Sequence, residues 1–429
     1  MVVSGFFITL GLFNLGVDPY GSFGSPRIEG INAEKPEFER HVRLGKAGLT
    51  RSIRPKGIIL GSSRAEFGLD SRHPGWRTTP TFNLGIPGPN AYELMRFFQH
   101  ANAIRRLDRV VIGLDLFQFN IYRPNRKDFD EGVLKQSMDR IGPVFPFRFA
   151  LRSLQMLLSA DMLASSYRTL NMQGEEIVYL QDGSRNQKII HSYTHPLGVR
   201  VSFRDQAMIA SKAYGRKFGF RNTKTGESSF EYLRKLLEMA HRDTIDLHLF
   251  LSPAHAWSLE NFDAFRDWND REEWMRRLVG VNEETARRHH GKAFPLWDFS
   301  GYNSYTTEEV PAIGDTREMQ WYFEGFHYTQ ALGNLILDRI FRYSDMSRDI
   351  ADDFGLRLTS ENVDLHFANT RAAQKDYRDS HLEDMTELRE LRTCVCPPCN
   401  WIDNDMGQLK VLEAKLLPVR VDPEAVVLP

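Results

Sequence analysis

Three short runs, GIIL (57–60), TFNL (81–84) and RVVIGLDLF (109–117), constrain the fold of this chain more than any other feature. They read as buried strands, and GIIL and RVVIGL carry apolar side chains on both faces. Such strands belong in a parallel sheet covered by helices on each side. Between the second and third runs, NAYELMRFFQHANAIRR spaces Leu94, Phe97, Phe98, Ala101 and Ile104 at helical intervals behind Asn90, a good N-cap residue. The pattern resumes with the amphipathic helix FEYLRKLLEMAHR and the strands IDLHLFLSP and FPLWDFSG. Alternation of this kind predicts an α/β fold with a parallel sheet over residues 55–342. Between about 120 and 225 the periodicity is lost, which predicts a largely helical and irregular insertion. Residues 343–390 are charged and read as a helical C-terminal extension, and 391–429 as a poorly defined tail.

A chain of 429 residues with 41% hydrophobic residues can build a sizeable core. Its 55 Lys and Arg almost cancel its 56 Asp and Glu, so it has no global basic field, and nucleic acid is not expected as a partner. The first charged residue is Asp18. The apolar stretch before it falls a little short of the roughly 20 residues of a membrane crossing, and it lacks the basic start and cleavage site of a secretory signal. Residues 1–20 are expected to be a membrane anchor or signal-anchor, the alternative being a buried N-terminal element. The turn-rich DPYGSFGSP then opens a linker over 21–54. All three cysteines, Cys394, Cys396 and Cys399, lie in CVCPPC, which lacks the four ligands of a zinc site. No metal and no cofactor are expected.

The chemistry gathers where strands end. In GSSR (61–64), Ser62 or Ser63 could be a nucleophile near helix N-terminal amides, or simply an N-cap. Asn83 and Gly85 follow the second strand, where a glycine amide could donate to an oxyanion. Glu324 precedes His327 by three residues, directly before an amphipathic helix carrying Leu332, Leu335, Ile336 and Ile340. A carboxylate so placed can orient the imidazole and leave its other nitrogen to take a proton from serine. The plain alternative for His327 is a helix-capping side chain.

In this order the segments resemble the blocks of the SGNH (GDSL-like) hydrolase superfamily, with GSSR as the first, NLG (83–85) as the second, IGLDLFQF (112–119) as the third and EGFH (324–327) as the last. The apolar start, DPYG, GSSR and SPAH (252–255) resemble in particular its membrane-anchored bacterial branch, related to alginate O-acetylation and D-alanyl-transfer proteins. The resemblance implies a three-layer, flavodoxin-like sheet. It further implies a nucleophile at Ser63 with His327 and Glu324, and an oxyanion hole from the Gly85 and Ser63 N–H groups. Asp115 stands where the family has asparagine, and an ionised carboxylate cannot donate. Arg64, Asn83 and His255 are candidate substrate-binding residues. The expected function is extracytoplasmic serine-dependent acyl transfer, as an esterase or O-acyltransferase, on a polysaccharide or cell-envelope component. A membrane-bound O-acyltransferase is a candidate partner. The alternative is a non-catalytic SGNH-like module that binds glycan or anchors an assembly.

Overall fold

The computed structural model describes residues 2–135, 144–174, 177–214, 217–265, 268–344 and 348–395. Its N-terminal part runs α1 (Val2–Val17), α2 (Val42–Ile53), β1 (Gly57–Leu60), α3 (Ser63–Gly68), β2 (Thr81–Asn83), α4 (Ala91–Ile104) and β3 (Arg109–Leu114). Helices α5 (Val144–Leu157), α6 (Ala160–Asn171) and α7 (Val199–Tyr214) follow. The alternation then returns with α8 (Ser229–Arg242), β4 (Asp246–Leu251), α9 (Ala256–Phe265), α10 (Trp268–Arg288) and β5 (Leu296–Asp298). The chain continues through α11 (Gln330–Phe341), β6 (Leu356–Arg357), α12 (Val363–Ser380) and α13 (Leu382–Val395).

The strands form one mixed α/β sheet in the order β2-β1-β3-β4-β5-β6, parallel throughout except for β6. Alternate side chains of each strand enter different cores. Ile58, Leu60, Val110, Ile112, Leu247 and Leu249 pack with residues of α2, α4 and α8, while Ile59, Val111 and Phe250 pack with residues of α3, α9 and α11. Helices therefore cover both faces, which is why β1, and β3 beyond Arg109, carry no polar face. Asn90 caps α4, its side chain accepting from Glu93 N–H at 2.9 Å. Strand order reverses at β1, which lies between β2 and β3. In open α/β sheets, ligand crevices form at the carboxyl ends of the strands beside such a point.

Two expectations about organisation change. Residues 21–54 are not a linker. Tyr20, Phe38, Val42 and Ala47 belong to the same core as Ile58 and Leu60, and small residues let α2 close on its neighbours. A Cβ at Gly45 would strike Phe38, and one at Gly48 would strike Ser22. The turn before it is locked as well, because the buried Asp18 carboxylate accepts from the N–H groups of Ser22, Phe23, Gly24 and Ser25. Turn-forming composition marked the bend but could not show that an anchored carboxylate rigidifies it. The second difference is β6, which adds two residues antiparallel to β5 and is too short to leave a periodic signal. Elsewhere the insertion is helical, with 3-10 turns between helices, and the C-terminal extension is α12 and α13. Cys396, Cys399 and the tail beyond them lie outside the described residues, as does the side chain of Cys394.

Among the described residues, no helix is long and apolar enough to cross a membrane. Helix α1 nonetheless reverses the usual polarity of a surface helix. Phe6, Phe7, Ile8, Leu12 and Phe13 are exposed, whereas Asn14 is fully buried, donating to the Leu157 carbonyl and accepting from Ser166 Oγ, both at 2.8 Å.

Candidate active site

The turn from β1 into α3 divides the two serines. Gly61 has φ +149°, and a Cβ there would lie 2.8 Å from Ala65 Cβ and 3.0 Å from the Gly113 carbonyl oxygen, so only glycine lets the turn lie this close to β3. Ser62 is the N-cap of α3: its Oγ accepts from Arg64 N–H at 3.2 Å and donates to Asp115 Oδ2 at 2.6 Å. Ser63, the first helical residue, points elsewhere. Its Oγ lies 2.7 Å from His327 Nε2, although 264 positions separate the two residues.

His327 is held from several sides. Its Nδ1 bonds Glu324 Oε1, which also accepts from His327 N–H at 2.8 Å, and Glu324 Oε2 accepts from Phe326 N–H at 3.1 Å. The glutamate thus ties its own loop as well as the ring. A carboxylate only accepts, so the ring proton sits on Nδ1 and Nε2 is left to accept from the Ser63 hydroxyl. Phe323 stacks on the imidazole with centroids 5.7 Å apart, and Phe67 lies at 5.1 Å. Glu324 is buried, while His327 keeps a fifth of its side chain exposed. Helix α11 brings this loop to α3 by glycine contact. A Cβ at Gly333 would overlap the Gly68 carbonyl oxygen, and one at Gly68 would overlap the Tyr328 ring.

The remaining candidates do other work. Asp115 donates to nothing: its carboxylate accepts from Ser62 and from Arg64 Nη1 at 2.9 Å. That pairing also occupies Arg64, whose guanidinium lies over the Phe326 ring. Neither side chain is left free for an oxyanion or an anionic substrate. The Gly85 N–H points to Asn83 Oδ1 at 3.0 Å, so it is not offered to the cleft. Asn83 is fully buried and donates to the carbonyls of Ala65, Glu66 and Leu69, closing the end of α3 instead of meeting a substrate. The N–H of Ser63 is the expected oxyanion donor that remains, with no hydrogen bond among the described residues. His255 is a buried structural residue. Its Nδ1 accepts from Trp257 N–H, its Nε2 donates to the Glu308 carbonyl at 2.6 Å, and burial pushes its pKa down to about 3. A neutral ring with both nitrogens engaged has nothing to offer a substrate.

Sequence reasoning missed the group beneath the site. Lys46 of α2, wholly buried, donates to Glu66 Oε1 of α3 at 2.7 Å and to the Gly85 carbonyl. Arg185, from the insertion, reaches the other oxygen of Glu66 at 3.3 Å. Burial lowers the Lys46 pKa. Burial alone would raise that of Glu66, but Lys46 and Arg185 together hold it below the ordinary carboxylate range. The network fastens the loop after β2 to the helix that carries Ser63. Its one sequence signal was a lysine among the small residues of α2. Among the described residues, no cluster of three His, Cys, Asp or Glu is placed to hold a metal ion.

No family model matches the chain, and no curated protein matches it.

Proposed function

We propose that this protein is a serine-dependent acyl-transfer enzyme of the SGNH kind, an esterase or O-acyltransferase acting on a polysaccharide or another component of the cell envelope. The observation that carries this reading is the 2.7 Å approach of Ser63 Oγ to His327 Nε2, backed by Glu324 on Nδ1. Chance caps in segments so far apart in the chain have no reason to meet, whereas a nucleophile and its base must. In the proposed cycle, Ser63 Oγ attacks the ester carbonyl as its proton passes to Nε2. The tetrahedral oxyanion faces the Ser63 N–H. The leaving alkoxide takes the proton from Nε2, leaving an acyl-serine. Water or a sugar hydroxyl then attacks that ester, giving its proton to Nε2, and the Ser63 oxygen leaves as it takes that proton back, which regenerates serine and neutral histidine. Glu324 keeps the imidazole in the required tautomer and stabilises it when doubly protonated.

The occupied Gly85 amide and the Arg64-paired Asp115 favour a second reading, a module that binds glycan without turning it over, because an oxyanion hole with one donor is a weak one. Treatment with a fluorophosphonate, followed by mass spectrometry of the tryptic peptides, separates the two. The catalytic reading expects Ser63 to be labelled, with labelling lost in Ser63→Ala and reduced at least 100-fold in His327→Ala. An unlabelled Ser63 at reagent excess would leave the binding module.

The reversed polarity of α1 supports placing the protein at a membrane, outside the cytoplasm, with a membrane-bound O-acyltransferase as a candidate partner. Apolar side chains facing out and an asparagine facing in suit lipid better than water. The full chain should float with phospholipid vesicles in a density gradient. Leu12→Glu combined with Phe6→Glu should lower the bound fraction severalfold. A wild-type chain that stays at the bottom of the gradient would count against the membrane assignment.

A further inference from the structure

A cavity of about 100 Å³ lies over the carboxyl ends of β3 and β4, lined on one wall by Arg64 and Phe326, the chain neighbours of Ser63 and His327, and on another by Arg271 and Trp274 of α10. Leu114, Leu259 and Phe262 are among the apolar residues between them. An engineered apolar cavity of roughly 150 Å³ takes up benzene, so this space suits a group of a few heavy atoms. The walls formed by α9 and α10 hold buried polar atoms without hydrogen bonds. Arg271 is 5% exposed and Trp274 3% exposed, and Arg271 Nη1, Trp274 Nε1 and Ser258 Oγ, all buried, have no partner among the described residues. The other Arg271 nitrogen, Nη2, donates to Ser300 Oγ at 2.5 Å and lies 3.9 Å from Asp298 Oδ2. That aspartate is also bound by His366 Nε2 at 2.7 Å and by Ser300, so it neutralises Arg271 only in part.

Guanidinium and indole N–H groups donate and never accept. A buried donor without an acceptor costs about 1–3 kcal/mol, more when charged, and an accepting ligand or ordered water at such a place removes that cost. The cavity wall carries three arginines, Arg64, Arg123 and Arg271, against one carboxylate, Asp115. Asp115 is already paired with Arg64. The complement of this wall is an anionic oxygen group on a short apolar stem.

We propose that the cavity is a specificity subsite for a carboxylate-bearing group of the substrate, with Arg271 Nη1 and Trp274 Nε1 as its donors. This rests on the acyl-transfer reading only for what the carboxylate is attached to: the acyl group destined for Ser63, or the sugar that carries the ester. Binding itself does not depend on catalysis.

Calorimetric titration of glutarate and of D-glucuronate into the full-length Ser63→Ala protein tests the subsite without turnover. One of the two should bind. Arg271→Gln should weaken that binding at least tenfold, and Trp274→Phe, which keeps the ring and removes the N–H, about threefold. Glutarate binding assigns the carboxylate to the acyl group, and glucuronate binding assigns it to the sugar. If neither binds, or if both variants bind as the parent does, the unpartnered donors serve water only and the subsite is refuted. Wild-type turnover gives the second arm for an acyl-side carboxylate. The ratio of kcat/KM for p-nitrophenyl hydrogen glutarate over p-nitrophenyl butyrate should exceed one and fall at least tenfold in Arg271→Gln. Binding that depends on Arg271, with neither ester cleaved, would overturn the acyl-transfer reading and leave the subsite standing. Cleavage of both esters without preference, and with no glutarate or glucuronate binding, would do the reverse.

Discussion

Ser62 and Ser63 are neighbours in sequence, yet one is a cap and the other faces a histidine. An N-cap residue keeps an extended backbone and turns its hydroxyl back over the first helical turn, where Ser62 meets Arg64 N–H and Asp115. The next residue enters the helix and its side chain leaves the axis in another direction, toward His327. The roles should separate experimentally. Ser63→Ala should abolish ester cleavage while changing stability by less than about 1 kcal/mol, because a partly exposed hydroxyl adds little to the fold. Ser62→Ala should retain measurable turnover but cost about 1–2 kcal/mol of cap and carboxylate hydrogen bonding, read from urea unfolding. Asp115→Ala should cost more, about 3 kcal/mol, since it strands a largely buried guanidinium. A double-mutant cycle with Arg64→Ala should return most of that as coupling energy, and two additive losses would argue against the pair.

At the scale of elements, the Ser63–His327 geometry depends on how closely α11 lies against α3. Gly333 sits on the Gly68 carbonyl with no space for a methyl group, and the loop carrying Glu324 and His327 runs directly into α11. Gly333→Ala must push the helices apart. Overpacking of this kind typically costs about 1–3 kcal/mol. It should also lengthen the Ser63–His327 contact, so kcat is expected to fall at least tenfold in a variant that still folds. A control at Gly280, where a Cβ meets nothing, should leave kcat unchanged. Equal rates in the Gly333→Ala variant and wild type would show that α11 does not set the dyad.

The molecule as a whole should be sensitive to acid. His100 and His255 are both completely buried, and burial drives each pKa down to about 3. In the unfolded chain each imidazole binds a proton near pH 6.5. Stability from these groups is therefore complete above about pH 6.5 and drains away as the pH falls toward 3, because the unfolded state takes up protons that the native state refuses. Between pH 7 and 5 the pair should remove about 4 kcal/mol, at up to about 1.4 kcal/mol per pH unit for each group. Urea unfolding at both pH values measures this. His255→Gln should lower stability at pH 7 and roughly halve the slope. An unchanged slope would mean that His255 is protonated in the folded protein.

Much of the frame was legible because strands and helices write their burial into local periodicity. GIIL, RVVIGL and DLHLFL lie in the sheet, and Asn90 caps the helix it precedes, since each depends on neighbours a few residues away. The order of the chemistry-bearing segments was legible too, and it singled out Ser63, Glu324 and His327. Their convergence was not, because it depends on glycine contacts between helices whose sequences say nothing of each other. The same limit explains the misplaced roles. Asn83, Gly85, Arg64 and His255 stand at the ends of strands, as binding residues would, but whether a polar group at such a place meets a substrate or the protein itself depends on what the tertiary fold brings opposite it. Here the fold brings helix-end carbonyls to Asn83, the Asn83 side chain to Gly85, a carboxylate to Arg64 and a carbonyl to His255. Local pattern determined which segments are strands, helices and turns; long-range packing alone decided which polar groups were spent on the fold and which were left for chemistry.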